Sequence, residues 1–227
     1  IGGSGEIPKA FCQGLSKAAR LLETIRHWHT RKIAGSHKFC GAMDHVTLVL
    51  AANEETRELL APYRKNKALE VLPVAYLSEE KIKKFRRLKK SEPWNDRRPL
   101  HLFAGGNIEG RKGVTFALKA LARVKTAGIR FHYTVAGGGP DIGNLKVLAE
   151  SLGLSGKVTF HPGYRGDEYF AQLSQSDLFL LPSFRETLGM TCQEAILCGC
   201  YPVVADISAQ GEMSRIAGIT GASVASE

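Results

Sequence analysis

Two glutamates, a lysine and three glycine-rich loops hold the chemistry of this 227-residue chain. Glu186 and Glu194 lie in the run Pro182-Ser-Phe-Arg-Glu-Thr-Leu-Gly-Met-Thr-Cys-Gln-Glu-Ala. The run reads as a strand end, a loop and a helix over 188–198. Glu186 then sits in the loop and Glu194 about two turns inside the helix, with up to about 12 Å of axial rise between them. Carboxylates so placed can hold hydroxyls at both ends of a ligand whose middle is a diphosphate resting on bare N–H groups. The other loops are Gly105-Gly-Asn-Ile-Glu-Gly-Arg-Lys-Gly113 and Gly137-Gly-Gly-Pro-Asp141. Each leads into a helix N-terminus, where the dipole favours an anion. Close packing alone explains glycine in any one such turn equally well. Three such loops on one edge point to a phosphate ligand.

The elements that must position these loops alternate regularly. Strand-like runs fall at 100–104, 131–136, 158–161, 178–181 and 202–205, and helix-like segments at 113–126, 142–152, 167–175 and 188–198. That alternation predicts an α/β fold with a parallel sheet, whose ligands bind beyond the carboxyl ends of the strands. Upstream, Phe11, Leu15, Ala18, Leu22, Ile25 and Trp28 form one stripe of a helix over 8–32. A β-branched run at 46–52 follows. Asn53 then caps a short helix, with Glu54 and Glu55 at the positive end of its dipole. A short apolar run covers 69–74. The expected division is 1–78, a basic connection over 79–98 that ends in Pro93, Trp94 and Pro99, and 99–227.

Composition narrows the function classes. The net charge of +9, from 31 basic and 22 acidic residues, calls for an anionic partner. Seven of the basic residues lie in Lys81–Lys90, which reads first as a solvated face and otherwise as a contact for an anionic membrane or acceptor. No apolar stretch approaches the roughly 20 residues of a membrane-spanning helix. Five cysteines, an odd number, fit reduced thiols in a cytoplasmic setting. No Asp-x-Asp occurs, His27-Trp28-His29 sends its two imidazoles to different faces of a helix, and Cys198-Gly-Cys200 lacks a second ligand pair, so no metal site is expected. The Gly105 loop does not supply the G-x-G-x-x-G of a dinucleotide enzyme. No aromatic-studded basic motif marks a nucleic-acid binder.

The run Pro182–Val204, together with the glycine loops at 105–113 and 137–140, resembles the nucleotide-sugar half of retaining glycosyltransferases of the GT-B fold, the group called family 4. The likeness is specific over residues 99–210. It extends more loosely to 1–78, including Ile1-Gly-Gly-Ser-Gly-Glu-Ile-Pro8 and Ala51-Ala-Asn-Glu-Glu-Thr56, which look like the tail of the family's acceptor-binding domain. It implies a Rossmann-like donor domain over 99–227 and part of a second Rossmann-like domain before it. The chain would then be a fragment, lacking the start of the acceptor domain and the closing helices, and inactive by itself.

The implied reaction moves a hexosyl group from a nucleoside-diphosphate sugar to a saccharide or lipid-linked acceptor, with retention and without metal or other cofactor. Its setting would be cell-envelope polysaccharide synthesis in the cytoplasm or at the membrane. By the same resemblance Glu186 contacts donor-sugar hydroxyls and Glu194 the ribose. Amides of Leu188, Gly189 and Met190 meet the diphosphate, Lys112 neutralises it, and Gly106, Asn107, Gly137, Gly138 and Gly139 complete the donor site. Relatives carry Arg where this chain has Asn107, so Arg111 is expected to turn toward the ligand and partly replace it. The alternatives are a non-catalytic nucleotide-binding module of Rossmann type and a dinucleotide-dependent enzyme.

Overall fold

The computed structural model describes residues 17–63, 68–72, 77–89, 94–95, 97–186, 188–206, 208–219 and 223–224. The motif at Ile1–Pro8, the start of the striped helix, Lys90, Pro93 and Thr187 lie outside them, as does the side chain of His27.

The amphipathic stripe forms α1 (Lys17–Ala34), followed by α2 (His37–Asp44) and β1 (Leu48–Ala51). Asn53 caps α3 (Glu54–Leu60) as its chemistry requires, its side-chain oxygen accepting from the Thr56 amide at 2.8 Å. A 3₁₀ turn at Ala61–Tyr63 leads on to β2 (Ala68–Val71), which pairs in parallel with β1 to form a two-stranded sheet. A small core of Ala51, Leu60 and Leu69 sits beneath it.

A six-stranded sheet forms the second unit, in spatial order β5, β4, β3, β6, β7, β8 and parallel at every pairing. Its elements are β3 (Leu100–Gly105), α5 (Val114–Thr126), β4 (Phe131–Ala136), α6 (Ile142–Ser151), β5 (Val158–His161), α7 (Asp167–Gln175), β6 (Leu178–Leu181), α8 (Met190–Leu197), β7 (Tyr201–Ala205), α9 (Ser208–Ile216) and β8 (Ser223–Val224). Strands buried on both faces have to be apolar throughout, and Phe103, Tyr133, Val135, Phe179 and Leu181 supply that core. The one buried hydroxyl among them, Tyr133, donates to the Leu180 carbonyl at 2.9 Å. The chain winds outward from β3 to β5, then returns to β6 on β3's other side, with Leu102 opposite Leu178 and Phe103 opposite Phe179. The order therefore reverses between β3 and β6, the place at which sheets of this kind bind ligands beyond the strands' carboxyl ends.

The basic segment differs from the expected connection. Residues Glu79–Arg86 form a helix, α4, packed on the second unit, where Phe85 is buried and stacks on Phe170 with centroids 5.0 Å apart. Lys84 pairs with Asp167 at 2.6 Å, Arg86 donates to the Leu197 carbonyl that ends α8, and Lys89 donates to Ser176 at the end of α7. Cations at helix C-termini meet the negative end of the dipole, so part of the basic excess serves docking. Contacts between α3 and α9 join the two units. One is a capping bond at 3.2 Å from the Glu54 amide, at the start of α3, to the Glu212 carboxylate of α9.

Candidate functional site

The site is built from the three glycine loops at the carboxyl edge of the sheet. The first leaves β3 and passes through a 3₁₀ turn at Gly110–Lys112 before α5. Gly113 has φ of +71°, and a Cβ there would lie 2.0 Å from the Pro182 carbonyl oxygen. Only glycine allows the first loop to lie so close to the loop after β6. The second loop presses on the first in the same way. A Cβ on Gly137 would stand 1.8 Å from the Gly106 oxygen, and the Ile108 amide donates to Gly138 at 2.8 Å. Gly106 in turn faces the first turn of α8, since a Cβ built there would lie 3.7 Å from the Thr191 methyl. One edge thus joins Gly106, Asn107, Arg111, Lys112, Gly137, Gly138 and Gly139 to the start of α8.

Lys112 and Glu186 meet at this edge as an ion pair, and they are 7% and 8% exposed. Taking one charge away from such a pair strands the other in a low dielectric, at a cost of about 3–5 kcal/mol. The pair puts an ammonium and a carboxylate side by side where the first and third loops meet. Helix α8 begins at Met190 after Gly189 turns through φ of +59°. It starts two residues later than the sequence suggests, so Glu194 lies one turn inside it rather than two. Leu188, Gly189 and Met190 stand at its N-terminus, where backbone N–H groups lack intrahelical partners. Glu194 is buried, and burial pushes its carboxyl up to about 7 from 4.5. A carboxyl held in that range can accept or donate a hydroxyl hydrogen bond near neutrality. Cys192, between the two glutamates, has its thiol pushed up to about 12, mainly by burial; a Ser214 hydrogen bond opposes the rise and the Glu186 charge adds to it. A thiol in that state is a packing group.

Arg111 is anchored on protein. Its Nε donates to Glu109 Oε1 at 2.7 Å and one terminal nitrogen to the Arg185 carbonyl at 3.0 Å. Asn107 Nδ2 reaches the same Glu109 oxygen at 3.4 Å. Sequence reasoning passed over Glu109, since nothing in its spacing marks it. It also passed over His161 and Tyr164, whose rings stack 3.9 Å apart at the same edge beyond β5. Among the described residues no group of three His, Cys, Asp or Glu side chains is placed to hold a metal ion.

Residues 84–227 match the family model described as glycosyl transferases group 1. The chain belongs to this family. Among curated group 1 relatives and their kin, it is 34% identical over 100 residues to a 2-deoxystreptamine glucosyltransferase of Streptomyces kanamyceticus, covering 44% of this chain and 26% of that protein. It is 28% identical over 183 residues to an alpha-D-kanosaminyltransferase of the same organism, covering 78% of this chain and 45% of that one. The chain therefore spans less than half the length of either relative. Its fold matches solved GT-B glycosyltransferases. The pneumococcal O-GlcNAc transferase GtfA, solved with UDP and GlcNAc, has a TM-score of 0.59 at 18% identity, over 75% of this chain and 32% of that one. Anabaena HepE, solved with UDP and glucose, has a TM-score of 0.56 at 22% identity, over 75% of this chain and 47% of that one.

Proposed function

We propose that this group 1 chain carries the donor half of a retaining, metal-independent glycosyltransferase that uses a nucleoside-diphosphate sugar. The carrying observation is the meeting of the buried Lys112–Glu186 pair with the open end of α8 beyond the carboxyl ends of β3 and β6. In this reading Glu194 accepts ribose hydroxyls, the amides at 188–190 take the diphosphate, and Glu186 orients the donor sugar. As the bond from the anomeric carbon to the leaving oxygen breaks, negative charge grows on the β-phosphate. In this reading Lys112, held beside Glu186, and the α8 dipole face that charge and stabilise it. The UDP in the GtfA and HepE structures supports a nucleoside diphosphate as the leaving group.

The acceptor in this reading is a saccharide or a lipid-linked sugar, met in the cytoplasm or at an anionic membrane surface that the outer lysines of α4 can approach. No described helix is long and apolar enough to cross a membrane. The chain spans less than half of these curated relatives, and in this reading the 227 residues alone bind donor without turning it over. Placing both reactants can account for about 7–11 kcal/mol of a barrier, which half a cleft forgoes.

Calorimetry with UDP, GDP, ADP and NAD, all with a chelator present, tests the reading. One nucleoside diphosphate should bind, and Glu194→Ala should cost about 1–3 kcal/mol. Binding of NAD alone, or binding that needs a divalent ion, would contradict it.

A further inference from the structure

The two loops that carry Lys112 and Glu186 are fastened residue by residue. Gly113 lies against Pro182, the Phe184 amide donates to the Arg111 carbonyl at 2.9 Å, and the Arg111 guanidinium reaches the Arg185 carbonyl. Lys112 meets Glu186 between these ties. Arg111 is thus bound to the second loop by both backbone and side chain. Its Nε donates to Glu109, which also takes Asn107 from the start of the first loop. Both side chains of the Arg111–Glu109 pair are only about a quarter exposed, at 28% and 25%, so solvent screens it less than a surface pair.

We propose that Arg111 is a positioning residue, a clasp that holds the Lys112 loop to the Glu186 loop, with Glu109 as its anchor. The clasp rests on the donor reading above only for its consequence, the presentation of Lys112 and Glu186 to a nucleotide sugar. It reverses the expectation that Arg111 replaces a phosphate-binding arginine at Asn107. To turn fully onto a phosphate, the guanidinium would weaken its bonds to Glu109 and the Arg185 carbonyl and leave the Glu109 carboxylate, held then by Asn107 alone, beside an anion. Guanidinium geometry suits the clasp, because a planar fork reaches two separated acceptors from different nitrogens, where the three donors of an ammonium radiate from one atom.

The two roles make opposite predictions for Glu109. If Arg111 serves the phosphate, Glu109 competes for it and Glu109→Gln tightens UDP binding. If Arg111 is the clasp, Glu109→Gln loosens the loops and weakens binding. The experiment uses the whole chain and its Glu109→Gln, Arg111→Ala and Arg111→Lys variants. It reads UDP affinity by calorimetry, amide exchange at Phe184 by mass spectrometry, and melting temperature. The clasp predicts UDP binding about tenfold weaker in all three variants and Phe184 exchange about tenfold faster without ligand, the scale of one charge-assisted hydrogen bond. Arg111→Lys should not rescue affinity. A contact that only stabilised the fold would move melting and leave affinity intact. Tighter UDP binding by Glu109→Gln, or full rescue by Arg111→Lys, would overturn the clasp. So would unchanged Phe184 exchange in Arg111→Ala, whether or not UDP binds. Should wild type bind no UDP while Phe184 exchange still accelerates, the clasp stands and the donor reading falls.

Discussion

Glu194 shows how far a single residue can be read from its neighbours. The sequence places it on the helix after the glutamate loop, but its titration follows from burial, which no spacing reveals. Because burial raises the folded-state value above 4.5, the folded protein binds a proton that the unfolded chain releases between pH 4.5 and about 7. This residue's contribution to stability is therefore whole below pH 4.5 and is lost as pH rises to about 7. At about 1.4 kcal/mol per unit, the loss is on the order of 2–3 kcal/mol. Glu194→Gln keeps the shape and removes the titration. Urea unfolding across pH 5 to 8 should show the wild type losing stability relative to the variant as pH rises, and parallel profiles would deny the burial effect.

Asn107 and Arg111 mark the limit of legibility at this scale. The residue types at 105–113 show a glycine loop after a strand, and the backbone has one there. The partner of Arg111 depends on Glu109 and on a carbonyl 74 positions away, a contact that only the fold creates.

At the scale of elements, the alternation of apolar runs with helical stripes made the parallel sheet of 99–227 readable, and β3 to β7 fall within a residue of expectation, while the two-residue β8 was not anticipated. Helices with little apolar signal were missed. α4 carries Ile82 and Phe85 amid six basic and acidic neighbours, so its one-sided burial hides inside a charge run that reads as a connection. α9 carries only Ala209, Met213 and Ile216 among polar residues and a glycine, and α2 also holds a glycine. The start of α8 slipped because the left-handed turn at Gly189 ends the loop later than the residue types suggest. The docking of α4 yields a prediction of its own. Phe85→Ala should cost about 3–5 kcal/mol in chemical unfolding, as expected when a buried ring leaves a cavity against Phe170. A change below 1 kcal/mol would mean that α4 is a loosely held connection after all.

For the molecule as a whole, the charge of +9 is the feature that sequence alone could least assign. Basic side chains gather on α4, yet Lys84, Arg86 and Lys89 reach groups on α7, at its end and at the end of α8, while the glycine loops open at the carboxyl edge beyond β3 and β6. Two anion-attracting regions therefore exist, and only one joins buried carboxylates to open helix amides. The central claim is that a nucleoside diphosphate chooses that edge. An amide chemical-shift titration of the whole chain with UDP, in the presence of a chelator, tests it most directly. The account predicts shifts concentrated at 105–113, 137–139 and 188–194, with α4 unmoved. Shifts confined to 79–89, with the three glycine loops silent, would contradict it.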